Sequence, residues 1–141
     1  MSIKQLDHLN LTVRSLEESV NWYRRLFGFE VVEKGIGDYG PWSIVRSGEA
    51  MLCIYEQQNR GQADRCGYHD SVDHRINHVG FRISDRASWE ESIRENDVDV
   101  LFGGPTHWPN SLSWYVMDPN GYQIEVVLWE DGQISFDAQA A

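Results

Sequence analysis

The stretch LDHLNLTV, residues 6–13, alternates apolar and polar side chains, and the stretch INHVGFRI, residues 76–83, repeats that alternation later in the chain. Each carries one histidine, His8 or His78, in its third position. A period of two is typical of a β-strand that buries one face and leaves polar side chains on the other. We therefore predict two equivalent strands, each with its histidine on the polar face.

The residues after each of these strands predict the same order of elements. Ser15 and Glu18 form a capping-box pattern, apolar residues then recur at helical spacing, and Gly28 follows, which predicts a helix over about 16–27. A weaker helix is predicted over about 86–96. Short apolar runs then predict three strands in each half, at 29–32, 42–45 and 51–55, and at 98–102, 112–117 and 122–129.

This order, βαβββ written twice, predicts an α+β fold. We expect a single domain over residues 1–141, with a first module over about 4–56, a linker over about 57–74, a second module over about 75–130 and a loose tail over 131–141. Two four-stranded half-sheets with the helices outside would form a cupped, half-barrel-like mixed sheet. The polar faces of the half-sheets would then enclose a cleft.

The composition excludes several classes of partner. Twenty-two acidic and twelve basic residues give a formal charge of −10, which repels a phosphate backbone, so we expect no nucleic acid. No apolar run approaches the ~20 residues of a membrane helix and nothing resembles a signal peptide, so we expect no membrane partner. Two cysteines in unlike surroundings, Cys53 and Cys66, fit a reducing compartment. We expect a cytoplasmic protein.

The last predicted strand places Glu125 on the face opposite its apolar residues. His8 and His78 lie on the corresponding faces of their own strands. Two histidines and a carboxylate form a facial set of ligands that leaves positions on a metal open to substrate. Taken alone, each histidine has the alternative of being a hydrogen-bonded structural residue, and the glutamate has the alternative of being merely solvated. Because the three coincide, we predict one divalent metal ion, Mn, Fe, Ni or Zn, in an enzyme that acts on a small molecule.

Four motifs carry a resemblance that covers nearly the whole chain. They are Asp-His-Leu at 7–9, Trp-Tyr-Arg-Arg-Leu-Phe-Gly-Phe at 22–29, Asn-His-Val-Gly-Phe at 77–81 and Met-Asp-Pro-Asn-Gly-Tyr-Gln-Ile-Glu at 117–125. Together they resemble the vicinal oxygen chelate superfamily, which includes glyoxalase I, fosfomycin-resistance proteins, extradiol dioxygenases, methylmalonyl-CoA epimerase and bleomycin-binding proteins. The resemblance implies paired βαβββ modules around a divalent metal held by His8, His78 and Glu125. It also implies a homodimer, which we expect here.

The two modules differ where a fourth ligand would stand. Aligning Gly48 with Gly121 places Leu52 opposite Glu125, so the first module lacks a carboxylate. Resemblance to glyoxalase I and the epimerase implies a glutamate from each half, so the difference argues against proton-shuttling isomerisation. A three-ligand site resembles that of the fosfomycin-resistance proteins. We expect the metal to act as a Lewis acid in a lyase reaction or in the addition of a thiol or water, with Tyr115 as a catalytic residue.

The candidate substrate contacts are Asn10, Arg82, Ser113 and Trp108. Arg82 shares a face with His78 and could hold a substrate carboxylate, although pairing with an acidic neighbour is the alternative. Trp108 could line the cleft or belong to the core. Residues 103–110 contain no lysine and no arginine follows Glu125, so the cationic anchor that a phosphonate needs is missing.

Two other functions are open. The chain resembles Fe(II) extradiol-type, ring-cleaving dioxygenases in placing a histidine and a tyrosine before the glutamate, which His107 and Tyr115 match approximately. His107 would then be a second catalytic residue that takes a proton from a catechol, although an ordinary loop histidine explains it equally well. The third possibility is a metal-free module that binds a drug-like or aromatic ligand between its tryptophans.

Overall fold

The computed structural model describes residues 5–38, 40–57 and 78–135. The chain divides into two units, residues 1–65 and 66–141, which correspond to the two predicted modules. Residues 58–74 of the predicted linker and 136–141 of the predicted tail lie outside the described residues. The described part of each unit contains one longer helix and one four-stranded sheet, so the predicted α+β fold of two βαβββ modules is confirmed. The grouping of both units into a single domain stays a prediction.

The first unit runs in the predicted order. Its elements are β1 (Leu9–Val13), α1 (Leu16–Phe27), β2 (Glu30–Gly37), β3 (Gly40–Ser47) and β4 (Ala50–Glu56). The strands lie in the order β1-β4-β3-β2, with β1 parallel to β4 and the other neighbours antiparallel. The parallel pairing sets Leu9 beside Leu52 and Asn10 beside Cys53.

Helix α1 begins and ends where the sequence predicts because both of its ends are capped. The Ser15 hydroxyl accepts a hydrogen bond from the Glu18 backbone N–H at 3.2 Å. Gly28 takes a left-handed conformation, with φ 66°, and its N–H donates to the Arg24 carbonyl at 3.0 Å. The side chains that the helix buries are Ser19, Val20, Tyr23 and Leu26.

The core of the first unit lies on the face of the sheet that α1 covers. Glu56 marks this face, because its Oε2 accepts a hydrogen bond from the Leu16 backbone N–H at the start of α1, at 2.8 Å. The aliphatic side chains that alternate onto the same face are Leu11, Val13, Val45, Leu52 and Ile54, all of them at most 3% exposed. Burial of each contributes about 1.5–3 kcal/mol, which makes this face the main source of stability in the unit.

The second unit repeats the order of the first. Its elements are β5 (Val79–Ile83), α2 (Arg86–Glu95), a 3-10 turn (Leu101–Gly103), β6 (Thr106–Trp108), β7 (Ser111–Met117) and β8 (Gln123–Trp129). The strands lie in the order β5-β8-β7-β6, and β5 pairs parallel to β8. The topology of the first sheet is therefore reproduced strand for strand.

Helix α2 begins at a charged cap. The Asp85 carboxylate accepts hydrogen bonds from the Ser88 hydroxyl at 2.6 Å and the Ser88 backbone N–H at 3.1 Å, and these bonds lower the pKa of Asp85. The Arg86 guanidinium lies 5.9 Å from the centre of the Trp114 ring, so α2 covers the face of the sheet that carries Trp114. Among the described residues, neither helix is long and apolar enough to span a membrane.

The predicted strand at 98–102 is wrong. Residues 98–100 belong to no strand, and the chain then makes the 3-10 turn. Phe102 takes a left-handed φ of 60°, and Gly103 and Gly104 follow with φ of 79° and 125°, so the backbone turns instead of extending. The strand that occupies this place in the second unit is β6.

Candidate functional site

Glu125 lies in β8 on the face of the second sheet that points away from α2, which we call the site face. Strand pairing sets it between Gly80 of β5 and Tyr115 of β7. His78 directly precedes β5. Three candidate site residues therefore meet on neighbouring strands because the strand order of the second unit brings β5, β8 and β7 side by side.

The turn between β7 and β8 fixes this register. The Asp118 carboxylate accepts hydrogen bonds from the backbone N–H groups of Asn120 and Tyr122, each at 2.8 Å. Gly121 takes a φ of 84°, which glycine adopts without strain. The interpretation of 118–121 as a tight turn agrees with this geometry, and the turn carries Glu125 onto the site face.

Three side chains form one hydrogen-bonded group on the site face, which we call the polar cluster: His78, Tyr115 and Glu125. His78 Nε2 lies 2.9 Å from Glu125 Oε2, and the Tyr115 hydroxyl donates to Glu125 Oε1 at 2.9 Å. The rings of His78 and Tyr115 meet edge to face with centroids 5.9 Å apart. The side chain of Glu125 is 17% exposed and that of His78 is 35% exposed, so the imidazole is the more accessible partner.

Tyr115 keeps its proton in this surrounding. Burial raises the pKa of its phenol, and the hydrogen bond to the Glu125 carboxylate raises it further. The Trp108 indole N–H, which donates to the Tyr115 hydroxyl at 3.3 Å, lowers this pKa and only partly offsets the rise. Tyr115 therefore acts as a hydrogen-bond donor towards Glu125 at neutral pH.

The polar cluster fits two of the three predicted metal ligands. An imidazole nitrogen and a carboxylate oxygen are donors that suit Mn, Fe, Ni and Zn, and here the two atoms converge to 2.9 Å. The Tyr115 hydroxyl provides the outer hydrogen bond that a ligating carboxylate usually has. Within the described residues of the second unit, no third His, Cys, Asp or Glu side chain joins the pair.

His8, the third predicted ligand, belongs to the first unit and precedes β1. Its Nδ1 lies 2.8 Å from Asp7 Oδ2, and its side chain is 42% exposed. Because an ionised carboxylate only accepts, Nδ1 must carry the proton in this bond, which leaves Nε2 with its lone pair available. Histidines that bind metals commonly have this carboxylate partner, so the pair fits a ligand role.

His107 lies apart from the polar cluster. In the β6–β7 hairpin, His107 pairs with Leu112, whereas Trp108 pairs with Ser111. Paired residues share a face, and Leu112 is buried on the face that α2 covers, so His107 points away from the site face that carries Tyr115. The structure therefore separates the two residues that the dioxygenase hypothesis brings together.

The four candidate substrate contacts fall into both units. Ser113 shares the site face with Tyr115 and is completely buried, and its hydroxyl has no hydrogen-bond partner among the described residues. Trp108, 51% exposed, contacts the Tyr115 hydroxyl. Arg82 is exposed on the site face, two residues along β5 from Gly80, and forms no ion pair within the described chain. Asn10 lies in the first unit, on the face of its sheet away from α1.

Strand pairing corrects the predicted match between Leu52 and Glu125. Leu52 pairs with Leu9, the residue after His8, as Ile124 pairs with Val79, the residue after His78. Leu52 therefore corresponds to Ile124, and Cys53 corresponds to Glu125. Burial raises the pKa of the Cys53 thiol, and the Asp7 carboxylate raises it further. The first unit still lacks a carboxylate at this place, which a protonated thiol occupies instead.

The family model of the Glyoxalase/Bleomycin resistance protein/Dioxygenase superfamily matches residues 5–126. The chain belongs to this superfamily. Its members are the vicinal oxygen chelate proteins that the sequence motifs resemble, so that resemblance is confirmed. The match includes His8, Tyr115 and Glu125 and extends over both units, in agreement with the repeated topology of the superfamily fold.

Relatives within the superfamily are distant in sequence but similar in fold. The metallothiol transferase FosB of Staphylococcus epidermidis is 23% identical over 128 residues, which cover 89% of this chain and 82% of FosB. A glyoxylase/bleomycin resistance protein/dioxygenase domain from Frankia sp. EAN1pec has a TM-score of 0.75 at 19% identity, covering 94% and 96% of the two chains. The fosfomycin resistance protein FosX of Listeria monocytogenes, complexed with Mn(II) and sulfate, has a TM-score of 0.65 at 20% identity, covering 91% and 92%.

Three residues that contact or correspond to a candidate site residue were missed in the sequence. Asp7 directly precedes His8, and an acidic neighbour of a candidate ligand was the available signal. Cys53 was hidden by the one-residue error in matching the modules. Phe102 packs against Tyr115 with ring centroids 5.3 Å apart, and the two glycines that follow it were the available signal for a turn.

Proposed function

We propose that this chain is a divalent-metal-dependent enzyme that adds a thiol or water to a small oxygen-bearing substrate. The observation that carries the proposal is the polar cluster, in which His78 and Tyr115 converge on the two oxygens of Glu125. Two relatives support it, since FosB is a metallothiol transferase and the FosX structure holds Mn(II). The ligands in this proposal are His8, His78 and Glu125.

A divalent metal in such a site supplies a Lewis acid that polarises a substrate oxygen. Glu125 contributes charge through Oε2, the oxygen that faces His78, while its Oε1 is held by the Tyr115 hydroxyl. His8 contributes Nε2, because Asp7 engages its Nδ1. In both His8 and Glu125, the protein thus fixes one potential ligand atom and leaves the other for coordination. His78 differs, because its Nε2 contacts Glu125 itself.

Tyr115 serves this site as a hydrogen-bond donor. Its raised pKa keeps the hydroxyl protonated, so a role as general base at neutral pH has no support. By donating to Oε1, the phenol fixes the rotation of the carboxylate and turns Oε2 towards His78. Tyr115 is therefore a positioning residue for Glu125 in this proposal.

Arg82 is the substrate contact that the geometry favours. Ser113 is completely buried, so its hydroxyl is not accessible to a substrate in this conformation. Arg82 offers an exposed guanidinium on the same face for a substrate carboxylate or carbonyl. Asn10, in the first unit, stays a predicted substrate contact.

The ring-cleaving dioxygenase hypothesis has less support from this geometry. Its catalytic pair was His107 and Tyr115, and β6–β7 pairing turns His107 to the other face of the sheet. A protonated Tyr115 could still hydrogen-bond a ligand, but the histidine that would take a catechol proton is missing from the site face. We therefore leave His107 out of the proposed catalytic residues.

Metal titration of chelator-treated protein tests the proposal. We expect one Mn(II) or Zn(II) per chain by isothermal titration calorimetry. Outer-shell partners of a metal are worth about 10–100-fold in affinity, so removal of a ligand should cost at least 100-fold. Glu125→Gln, His78→Gln and His8→Gln should each show that loss, and Tyr115→Phe should lose about 10-fold or more.

His107→Gln is the matched control, because it removes a histidine of the same unit from the other face. Its metal affinity should stay within about twofold of wild type, which is the precision of such titrations. Failure of the wild-type protein to take up Mn, Fe, Ni or Zn would overturn the proposal. Undiminished binding by Glu125→Gln would show that the polar cluster is not the metal centre.

A further inference from the structure

The loop between α2 and β6 holds a bulky side chain in a strained position. Phe102 has φ 60° and ψ 21°, a left-handed backbone conformation that residues with a Cβ rarely adopt and that is unusual for an aromatic residue. Gly103 and Gly104 follow with positive φ as well, where glycine is at ease. Strain of this kind persists only where the surroundings impose it, and it is common where ligands bind.

Core packing does not account for this strain. The Phe102 ring meets the Tyr115 ring edge to face, with centroids 5.3 Å apart and an interplanar angle of 77°. Yet Phe102 is 66% exposed, so most of its ring is left uncovered by the described residues. The loop thus presents an aromatic ring beside Tyr115 instead of burying it.

Trp108 is a second exposed ring at the same place. It is 51% exposed, lies on the site face through its pairing with Ser111, and donates its indole N–H to the Tyr115 hydroxyl at 3.3 Å. The large exposed hydrophobic residues of the described chain include only two aromatic ones, Phe102 and Trp108. Both contact the tyrosine that bonds Glu125, which a random scatter of surface rings does not explain.

The charges of the second unit do not favour an anionic substrate at these rings. Among its described residues the cations are Arg82, Arg86 and Arg94. Arg86 pairs with Glu90 and Arg94 with Glu91 on α2, on the other side of the sheet. The surface beside Tyr115 is therefore aromatic, and Arg82 on β5 is the one cation of the described unit on the site face.

We propose that Phe102 and Trp108 form an aromatic clamp that binds a planar, apolar ring of the substrate, with the oxygen-bearing end of that substrate directed to the polar cluster. The substrate class is an aromatic compound that carries an oxygen function. For the oxygen-bearing end of the substrate, this inference rests on the proposed function. For the aromatic end, it rests on the exposed rings alone. Offset or edge-to-face contact with two rings is the interaction that selects it.

Benzohydroxamate and acetohydroxamate are matched probes, because both chelate a metal through two adjacent oxygens and only the first has a ring. Calorimetry on Mn(II)-loaded protein should show that benzohydroxamate binds at least about 10-fold tighter than acetohydroxamate. This ratio is corrected for the difference between the two compounds in their affinity for free Mn(II). Phe102→Gly should reduce this preference, the ratio of the two affinities, to less than about threefold. Trp108→Leu should also reduce it.

Phe102→Gly is suited to the test because glycine accepts the left-handed backbone, so the variant should fold at least as stably as wild type. A ring preference that survives Phe102→Gly, or its absence from the wild-type protein, would overturn the clamp. Light scattering provides a further check: if Phe102→Gly lowers the molecular mass in solution and leaves the ring preference intact, the ring serves contact between subunits and the clamp is wrong.

The same probes separate the clamp from the metal proposal. If wild-type protein binds Mn(II) but both hydroxamates equally, the clamp fails and the metal centre stands. If no metal binds, the titration is repeated on metal-free protein by Trp fluorescence. A preference for benzohydroxamate that Phe102→Gly removes then supports the clamp while the metal proposal fails, and the absence of any preference refutes both.

Discussion

The two units share one topology but carry different chemistry on equivalent strands. In the second unit, Glu125 pairs with Tyr115 across the hairpin and contacts His78. In the first unit the equivalent of Glu125 is Cys53, which pairs with Ile44 and has a thiol held in its protonated form. The helix-covered faces differ as well, since Glu56 of the first unit corresponds to Leu128 of the second. A duplicated fold can thus keep one strand topology and carry different side-chain chemistry on equivalent strands.

The corresponding face of the first unit carries an aromatic pair. Trp42 stacks on Tyr55 with centroids 6.3 Å apart, and the pair lies on the same face as Cys53. Gly35 permits this stack, since a Cβ there would come within 2.8 Å of the Trp42 indole. Carboxylates on this face come from the outer strand β2, where Glu33 pairs with Ile44, and His8 is the one predicted ligand of the unit.

The largest expected effect tests the correspondence of the two sheets directly. Leu52 and Ile124 occupy equivalent places and are 2% and 0% exposed, so Leu52→Ala and Ile124→Ala should each lower the free energy of unfolding by about 2–5 kcal/mol. Denaturant titration followed by circular dichroism measures both. A small loss in Leu52→Ala alone would break the correspondence.

A smaller effect distinguishes the caps of the two helices. Ser15 accepts one backbone hydrogen bond at the start of α1, so Ser15→Ala should lower the free energy of unfolding by about 1 kcal/mol. Ser15→Asp gives α1 the type of cap that α2 has and should restore the stability at neutral pH. Thermal denaturation of the two variants beside wild type measures the difference. Equal losses in both would show that the Ser15 hydroxyl does not stabilise the helix.

The smallest expected effect depends on pH and belongs to the second unit. Hydrogen bonds from Ser88 lower the pKa of Asp85 below its ordinary value in the folded protein. Its ionised form therefore stabilises the fold above the ordinary carboxyl pKa, and this contribution is lost as the pH falls through the folded-state pKa.

Asp85→Asn keeps a capping oxygen but cannot ionise, so it isolates that contribution. The stability difference between wild type and Asp85→Asn should shrink as the pH falls from neutral to about 3, when denaturation midpoints are compared at each pH. A difference that stays constant over this range would contradict the role of the Asp85 charge.

Local signals made part of this fold predictable. Helix α1 was predicted with its exact bounds because Ser15 and Gly28 mark its ends and the apolar spacing between them is regular. The alternation in β8 predicted the face of Glu125 for the same reason, since a strand has only two faces. The convergence of His78 with Glu125 follows from a repeat that was visible in the sequence.

Turn lengths explain what could not be predicted. The leading glycines Gly48 and Gly121 are not equivalent, because Ser47 and Ala50 close a two-residue turn in the first unit. In the second unit residues 118–122 separate the paired ends of β7 and β8, so matching by glycine slipped by one residue. The face of His107 could not be predicted for a related reason. Residues 109 and 110 close a two-residue turn that pairs Trp108 with Ser111 and sends His107 to the other face.

The parallel pairing of the outer strands has a consequence for how each unit folds. Strands β2, β3 and β4 are joined by short turns, as are β6, β7 and β8, and such hairpins form in microseconds. Strands β1 and β5 must instead close a loop across nearly the whole of their unit to reach β4 and β8, which makes their docking the slower event. Because His8 and His78 precede these strands, both histidines reach their native positions late in folding. We expect a chain arrested before that step to hold nearly complete hairpins and no coordination site.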